Sequence, residues 1–132
     1  MVVPCSLQRY SFFTWDSDLY SEMMLDLMQH MEPRSEEKDV TIFDELDEIS
    51  EVVLFVRGKF DIGFEVNGKR FFVKRFTNSS SSVHNAGAMI GAHGASFNKR
   101  SRFIYKTATR CDGFFIRKRM WNEVMDNHSF VS

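Results

Sequence analysis

The segment Gly87-Ala88-Met89-Ile90-Gly91-Ala92-His93-Gly94-Ala95, with Lys99, Arg100 and Arg102 close behind it, is where this chain is best equipped for chemistry. Glycine and alanine leave the main chain bare, so its N–H groups can approach an anion without a metal. A turn of helix with free N–H groups, followed by guanidinium groups on the next loop, makes a phosphate clamp. The expected contacts are Gly91, Ala92, His93, Gly94, Arg100, Ser101 and Arg102. The competing reading is a tight small-residue turn beside a solvated basic cluster. Neither Gly-x-Gly-x-x-Gly nor a closing Gly-Lys-Ser/Thr is present, so the Rossmann and P-loop motifs are absent.

Other chemistries find less support. His30, His84, His93 and His128 are scattered, with no Cys or carboxylate at ligand spacing, and read as surface or loop histidines. There is no Gly-x-Ser-x-Gly elbow and no nucleophile paired with a base. The acid pairs Asp44-Glu45 and Asp47-Glu48 sit in a solvated run rather than a catalytic dyad. The residues give no reason to expect an enzyme.

The elements that must hold the clamp belong to one domain, since the chain has 132 residues and a hydrophobic fraction of 43% with 14 Phe. No run of about 18 apolar residues exists to span a membrane, and no basic-then-apolar leader opens the chain. Cys5 and Cys111 read as two reduced thiols, which makes a cytoplasmic setting the default. Charge is divided along the chain. Residues 1–51 hold 13 acids and 3 bases, a balance of −10; residues 52–132 hold 5 acids and 14 bases, a balance of +9. Either the two surfaces attract one another within the fold, or the basic part awaits an anion or an acidic partner.

Residues 1–16 form an aromatic segment around Tyr10, Phe12, Phe13 and Trp15 that packs on something. A helix is predicted from Asp16 or Ser17 to Met31, with Leu19, Met23, Met24, Leu27, Met28 and Met31 on one core-facing stripe, and Pro33 ends it. Val40–Phe43 reads as a strand and Asp44–Glu51 as an acidic connection. The apolar run Val52–Val56 is stopped by Arg57-Gly58-Lys59, and Phe60, Ile62, Phe64 and Val66 then alternate with polar or small residues. Asn67-Gly68 spells a type I′ hairpin turn, and Lys69–Phe76 returns. A serine loop at 79–82 precedes the clamp. Phe103–Thr109 alternates as a strand, with Phe103, Tyr105 and Thr107 on one side. Phe114–Ile116 is a short strand after Asp112-Gly113. A last helix from Arg117 to Asn127 sets Met120, Trp121, Val124 and Met125 on one side, leaving a tail at 127–132. The fold class is α+β: an antiparallel, jelly-roll-like β-roll with an N-terminal helix, an inserted cassette turn and a C-terminal helix.

Over residues 17–126 this pattern resembles the cyclic-nucleotide-binding domain family, in which a helix precedes a β-roll and a phosphate-binding cassette is inserted between strands. Val40–Phe43 and Glu51–Gly63 are similar to its first strand and its apolar-x-x-Gly-x-apolar-x-apolar signature, and Gly87–Gly91 to the approach to its cassette. Gly58–Asn67, with Phe114-Phe115-Ile116-Arg117-Lys118, is most similar to cytoplasmic domains of ciliate cation channels. The resemblance implies cAMP or cGMP as the ligand, with Gly91 as the cassette glycine. Three departures fall on the site: Ser101, between Arg100 and Arg102, stands where the family has its phosphate-binding Arg; Phe103-Ile104, with no gap, where it has a small Ala-Thr pair; and Ala92 where it has its ribose-holding Glu. An uncompensated hydroxyl there costs about 1.5–3 kcal/mol.

What the resemblance implies is a non-enzymatic regulatory or assembly module with a degenerate ligand site, related to a cation channel. Its partners are then other domains or subunits of a larger assembly, with a membrane met only through an absent channel portion, at its cytoplasmic face or in a cilium. A responsive version captures the anion and moves the last helix; a silent one fills its cavity with a side chain or with Phe130-Val131. The competing class is a nucleic-acid-binding module built on Lys99, Arg100, Arg102, Lys106, Arg110, Arg117, Lys118 and Arg119. It is disfavoured because the acidic front third repels phosphates and Phe103 and Tyr105 read as strand-buried.

Overall fold

In the computed structural model of the chain, residues 18–78 and 88–128 are described, with side chains over 22–77 and 88–128. The aromatic N-terminal segment, Cys5, the serine loop, His84 and Phe130-Val131 lie outside them. Helix α1 (Asp18–Gln29) is followed by strands β1 (Glu32–Glu36), β2 (Thr41–Phe43), β3 (Glu51–Val66), β4 (Lys69–Asn78) and β5 (Ala88–Ile90). Helix α2 (Ala92–Phe97), strands β6 (Ile104–Thr107) and β7 (Cys111–Arg117), and helix α3 (Lys118–Asn127) complete the order.

Every strand pairing is antiparallel. The sheet runs β1-β7-β3-β6-β2, with β4 and β5 each added to β3. β3 is therefore the shared wall: its first half pairs with β7 and β5, its second half with β6 and β4. The expected stop at Arg57-Gly58-Lys59 is a bend instead, and the strand continues through it. Gly58 has φ 105°, and a Cβ there would lie 2.7 Å from Cys111 Sγ and against the Arg110 carbonyl, so only glycine turns this corner. At the far end Asn67 (φ 51°) and Gly68 (φ 78°) form the expected I′ turn, because both central residues tolerate positive φ.

The core sits where β3 is covered on both sides. Val52, Val53, Leu54 and Phe55 are all buried, which explains why this half of the strand is a continuous apolar run while the other half alternates. Met23, Met24 and Leu27 of α1 join it, with Met28 and Met31 partly buried alongside, as the methionine stripe predicts. Trp121 and Val124 of α3 bury against the same cluster.

Several expectations need correction. β1 begins one residue before Pro33 and follows the helix closely; proline is tolerated because, among the described strands, β1 lies at the edge and pairs only with β7. Asp112-Gly113 is within β7 rather than before the strand, because both residues pair with β1 and with β3; a Cβ at Gly113 would strike the Leu54 carbonyl of β3. In β6 the buried residues are Ile104 and Thr107, not Phe103 and Tyr105: Phe103 is 41% exposed and Tyr105 half-buried. His30 and His128 are not idle surface groups either. Both face Asp26, at 3.8 and 3.1 Å, where α1 meets α3.

The division of charge is partly settled inside the fold. Asp44 pairs with Arg70, Glu48 with Arg100, Glu37 with Arg110 and Glu32 with Arg117, each pair crossing from the acidic part to the basic part. Arg34 is held by Glu36 and Glu51. What matters functionally is which cations remain without a carboxylate.

Candidate functional site

Gly91 closes β5 with φ 91° and opens α2, one and a half turns long, whose main chain returns at Asn98 (φ 53°). A Cβ at Gly91 would press on the Glu51 carbonyl and the Ile49 methyl, both at 3.0 Å. Gly94 is needed for packing: a Cβ would lie 2.8 Å from the Lys99 carbonyl and overlap Ile49. Thus Ile49, the one buried apolar side chain of the acidic connection, anchors the cassette turn.

A cavity of about 610 Å³ opens beside this turn, lined by Gly91, His93 and Gly94 on one side and Lys99, Arg100, Ser101, Arg102 and Phe103 on the other, with Ile49 and Tyr105. It brings together six of the seven sequence-predicted site residues. The seventh, Ala92, packs against the core cluster instead. Lys99, named with the basic cluster though not among the expected contacts, lines the cavity too; Ile49, Phe103 and Tyr105 are additions, and the signals for them are a lone isoleucine in an acidic run and an aromatic pair beside the basic cluster.

The lining side chains differ in their freedom. Ser101 is buried, and its hydroxyl donates to the Phe103 carbonyl at 2.7 Å, so it shapes the loop rather than facing a ligand. Arg100 donates from Nη1 to the Leu46 carbonyl at 2.8 Å and reaches Glu48 at 3.4 Å, both on the β2–β3 connection. Lys99 and Arg102 are exposed and, among the described residues, meet no carboxylate within salt-bridge distance. The lining holds three permanent cations and no acid. The His93 ring tilts against Phe97 with centroids 4.9 Å apart, and burial pushes the Tyr105 phenol up, keeping it protonated. Cation and aromatic surface together can take a phosphate attached to a flat ring system. Among the described residues no group of His, Cys, Asp and Glu could hold a metal, and no helix is long and apolar enough to cross a membrane.

α2 is tied to α3 by three bonds. Trp121 Nε1 donates to Ser96 Oγ at 2.8 Å, Asn122 Nδ2 to the Ala95 carbonyl at 3.0 Å, and Lys118 Nζ to Asn98 Oδ1 at 2.6 Å. No α3 residue lines the cavity, so this helix buttresses the cassette from behind and does not lie over it.

Solved structures share this fold. The chain superposes on the regulatory domain of Toxoplasma gondii PKA with cAMP at a TM-score of 0.73 and 14% identity, covering 95% of this chain and 44% of that one. For cAMP-bound PfPKA-R the values are 0.70, 13%, 90% and 39%. The fold is the cyclic-nucleotide-binding β-roll. A third such β-roll, in CLP, the c-di-GMP responsive global regulator of Xanthomonas campestris, matches at 0.62 and 16%, over 80% of this chain and 48% of that one. The chain thus spans less than half of each of these larger regulatory proteins. No family profile and no curated protein sequence matches it.

Proposed function

We propose that the chain is a non-enzymatic regulatory module of a larger protein, and that its β-roll binds a nucleotide in the cavity between α2 and the Lys99–Phe103 segment. The observation that carries this reading is a cavity of about 610 Å³ with three cations and no carboxylate in its wall. Lys99 and Arg102 are free to take the phosphate, and Phe103 with Tyr105 offers a surface for the base. The readout runs through the bonds from Ser96, Ala95 and Asn98 to α3: a ligand that shifts α2 shifts the population of α3 positions with it. The kinship to cation channels rests on the wording of Gly58–Asn67 and Phe114–Lys118 alone.

The silent, assembly-only reading is favoured by two observations. Arg100 is engaged by Leu46 and Glu48, and the Ser101 hydroxyl is turned into its own loop. Titration with cAMP and cGMP by calorimetry separates the readings. Binding that weakens about tenfold or more in Arg102→Ala, the loss of one charge-assisted contact, supports the nucleotide pocket. Absence of heat and of any thermal shift at millimolar cyclic or linear nucleotide leaves only the assembly role. Unchanged affinity in the double variant Lys99→Ala, Arg102→Ala would show that a nucleotide binds elsewhere.

A further inference from the structure

A second, smaller depression of about 110 Å³ shares Ile49, Lys99 and Arg100 with the main cavity and is completed by Glu48, Asn98 and Lys118. All of its walls except Ile49 are polar. Across the two spaces stand four cations, Arg102, Lys99, Arg100 and Lys118, against the single carboxylate of Glu48. A cyclic monophosphate brings one negative charge, too little to match this row. Resting on the reading of the main cavity as a nucleotide pocket, we infer that the ligand carries at least two phosphate groups, a nucleoside diphosphate or a longer linear ester. The second phosphate sits in the depression among Lys99, Arg100 and Lys118.

The existing bonds show how it is accommodated. The Glu48 side chain is 81% exposed and 3.4 Å from Arg100, a solvated pair that a phosphate displaces at little cost. Among the described residues Lys118 Nζ bonds only the neutral Asn98 amide oxygen, at 2.6 Å, so an anion offers it a stronger acceptor. Lys118 is also the first residue of α3 and donates its main-chain N–H to the Ser50 carbonyl at 2.9 Å. A phosphate held there grips the helix directly, so the module distinguishes ligands by phosphate number where a cyclic ester reaches only the cassette side.

Calorimetry on the whole chain, in EDTA at fixed ionic strength, compares ADP, AMP, cAMP and pyrophosphate, with the guanosine series in parallel. The expected result is a diphosphate bound about tenfold or more tighter than its monophosphate, the increment of one charge-assisted contact. Lys118→Met narrows the diphosphate's advantage over the monophosphate several-fold, and Lys118→Arg restores it. Equal affinity for AMP and ADP, tighter binding of cAMP than of ADP, or a Lys118→Met loss shared by every nucleotide overturns the second phosphate site but leaves the pocket standing. Pyrophosphate binding as tightly as ADP keeps the phosphate site and overturns the nucleotide pocket. No binding by any of them overturns both.

Discussion

Trp121 donates its indole Nε1–H to the Ser96 hydroxyl at 2.8 Å, joining the last helix to the small helix that walls the cavity. The indole is 3% exposed and belongs to the core cluster, so it is both a wedge and a polar latch. Trp121→Phe removes the latch and most of the wedge remains; the expected loss is about 1–2 kcal/mol. Trp121→Ala also opens a cavity and costs about 3–5 kcal/mol. Urea unfolding of the two variants checks the order. An alanine variant no less stable than the phenylalanine one refutes the wedge.

Gly58 lets β3 change from one half of the roll to the other. Gly58→Ala forces a side chain into φ 105° and against the Arg110 carbonyl and Cys111 Sγ. The expected destabilisation is at least about 2 kcal/mol, from left-handed strain alone. Gly68→Ala is the control, because a Cβ there meets nothing within 4 Å and only the strain applies. A thermal melt in which both variants fall equally would count against the steric argument at Gly58.

How much of this was legible in the residues depends on the range of the interaction. The Asn67-Gly68 turn, the helix stripe of Met23, Met24 and Leu27, and the run Val52–Phe55 declare themselves locally, through φ preference and periodicity. β1 was hidden because Glu32–Glu36 contains a proline and no apolar alternation; its strand form comes from pairing with β7 far along the chain. The burial around β6 departs from the expected alternation for a related reason. Phe103 is the larger residue, yet it lies just before the strand and stays exposed, while Ile104 and Thr107, paired with Gly63 and Phe60 on β3, are the buried ones. At the site, composition located the cassette and its cations, but only the folded chain reveals that Arg100 is engaged and Arg102 free.

Acid weakens the fold through two carboxylates. Asp61 is held below its usual range chiefly by the hydrogen bond from Arg75, and Asp112 chiefly by that from the Ser35 hydroxyl. A depressed carboxylate binds protons more readily in the unfolded chain, so its stabilisation is complete above the unfolded pKa and disappears as pH falls through the folded one. The urea midpoint is therefore expected to hold steady down to about pH 5 and to decline below about pH 4. Asp61→Asn removes part of that slope. A slope identical to wild type would exclude Asp61 as a contributor.

Cys111 behaves in the opposite sense. Burial, with the nearby Asp112 charge, pushes its thiol up to about 11, against about 8.5 for an unfolded cysteine. The neutral thiol is favoured in the fold, so its contribution is intact below the unfolded value and is lost as pH climbs towards the folded one. In a Cys5→Ser background, iodoacetamide at pH 8 is expected to modify Cys111 only as fast as the chain opens. Rapid alkylation under native conditions would contradict its burial.

β3 belongs to both halves of the roll, and this restricts where the chain can vary in length. One residue added anywhere between Glu51 and Ile62 would turn each later side chain to the opposite face and misalign β4 and β6 together. The hairpin tip at Asn67-Gly68 stands in open space, so an insertion there disturbs no pairing. A peptide tag or fluorophore placed at that tip leaves the cassette and its buttressing helix untouched.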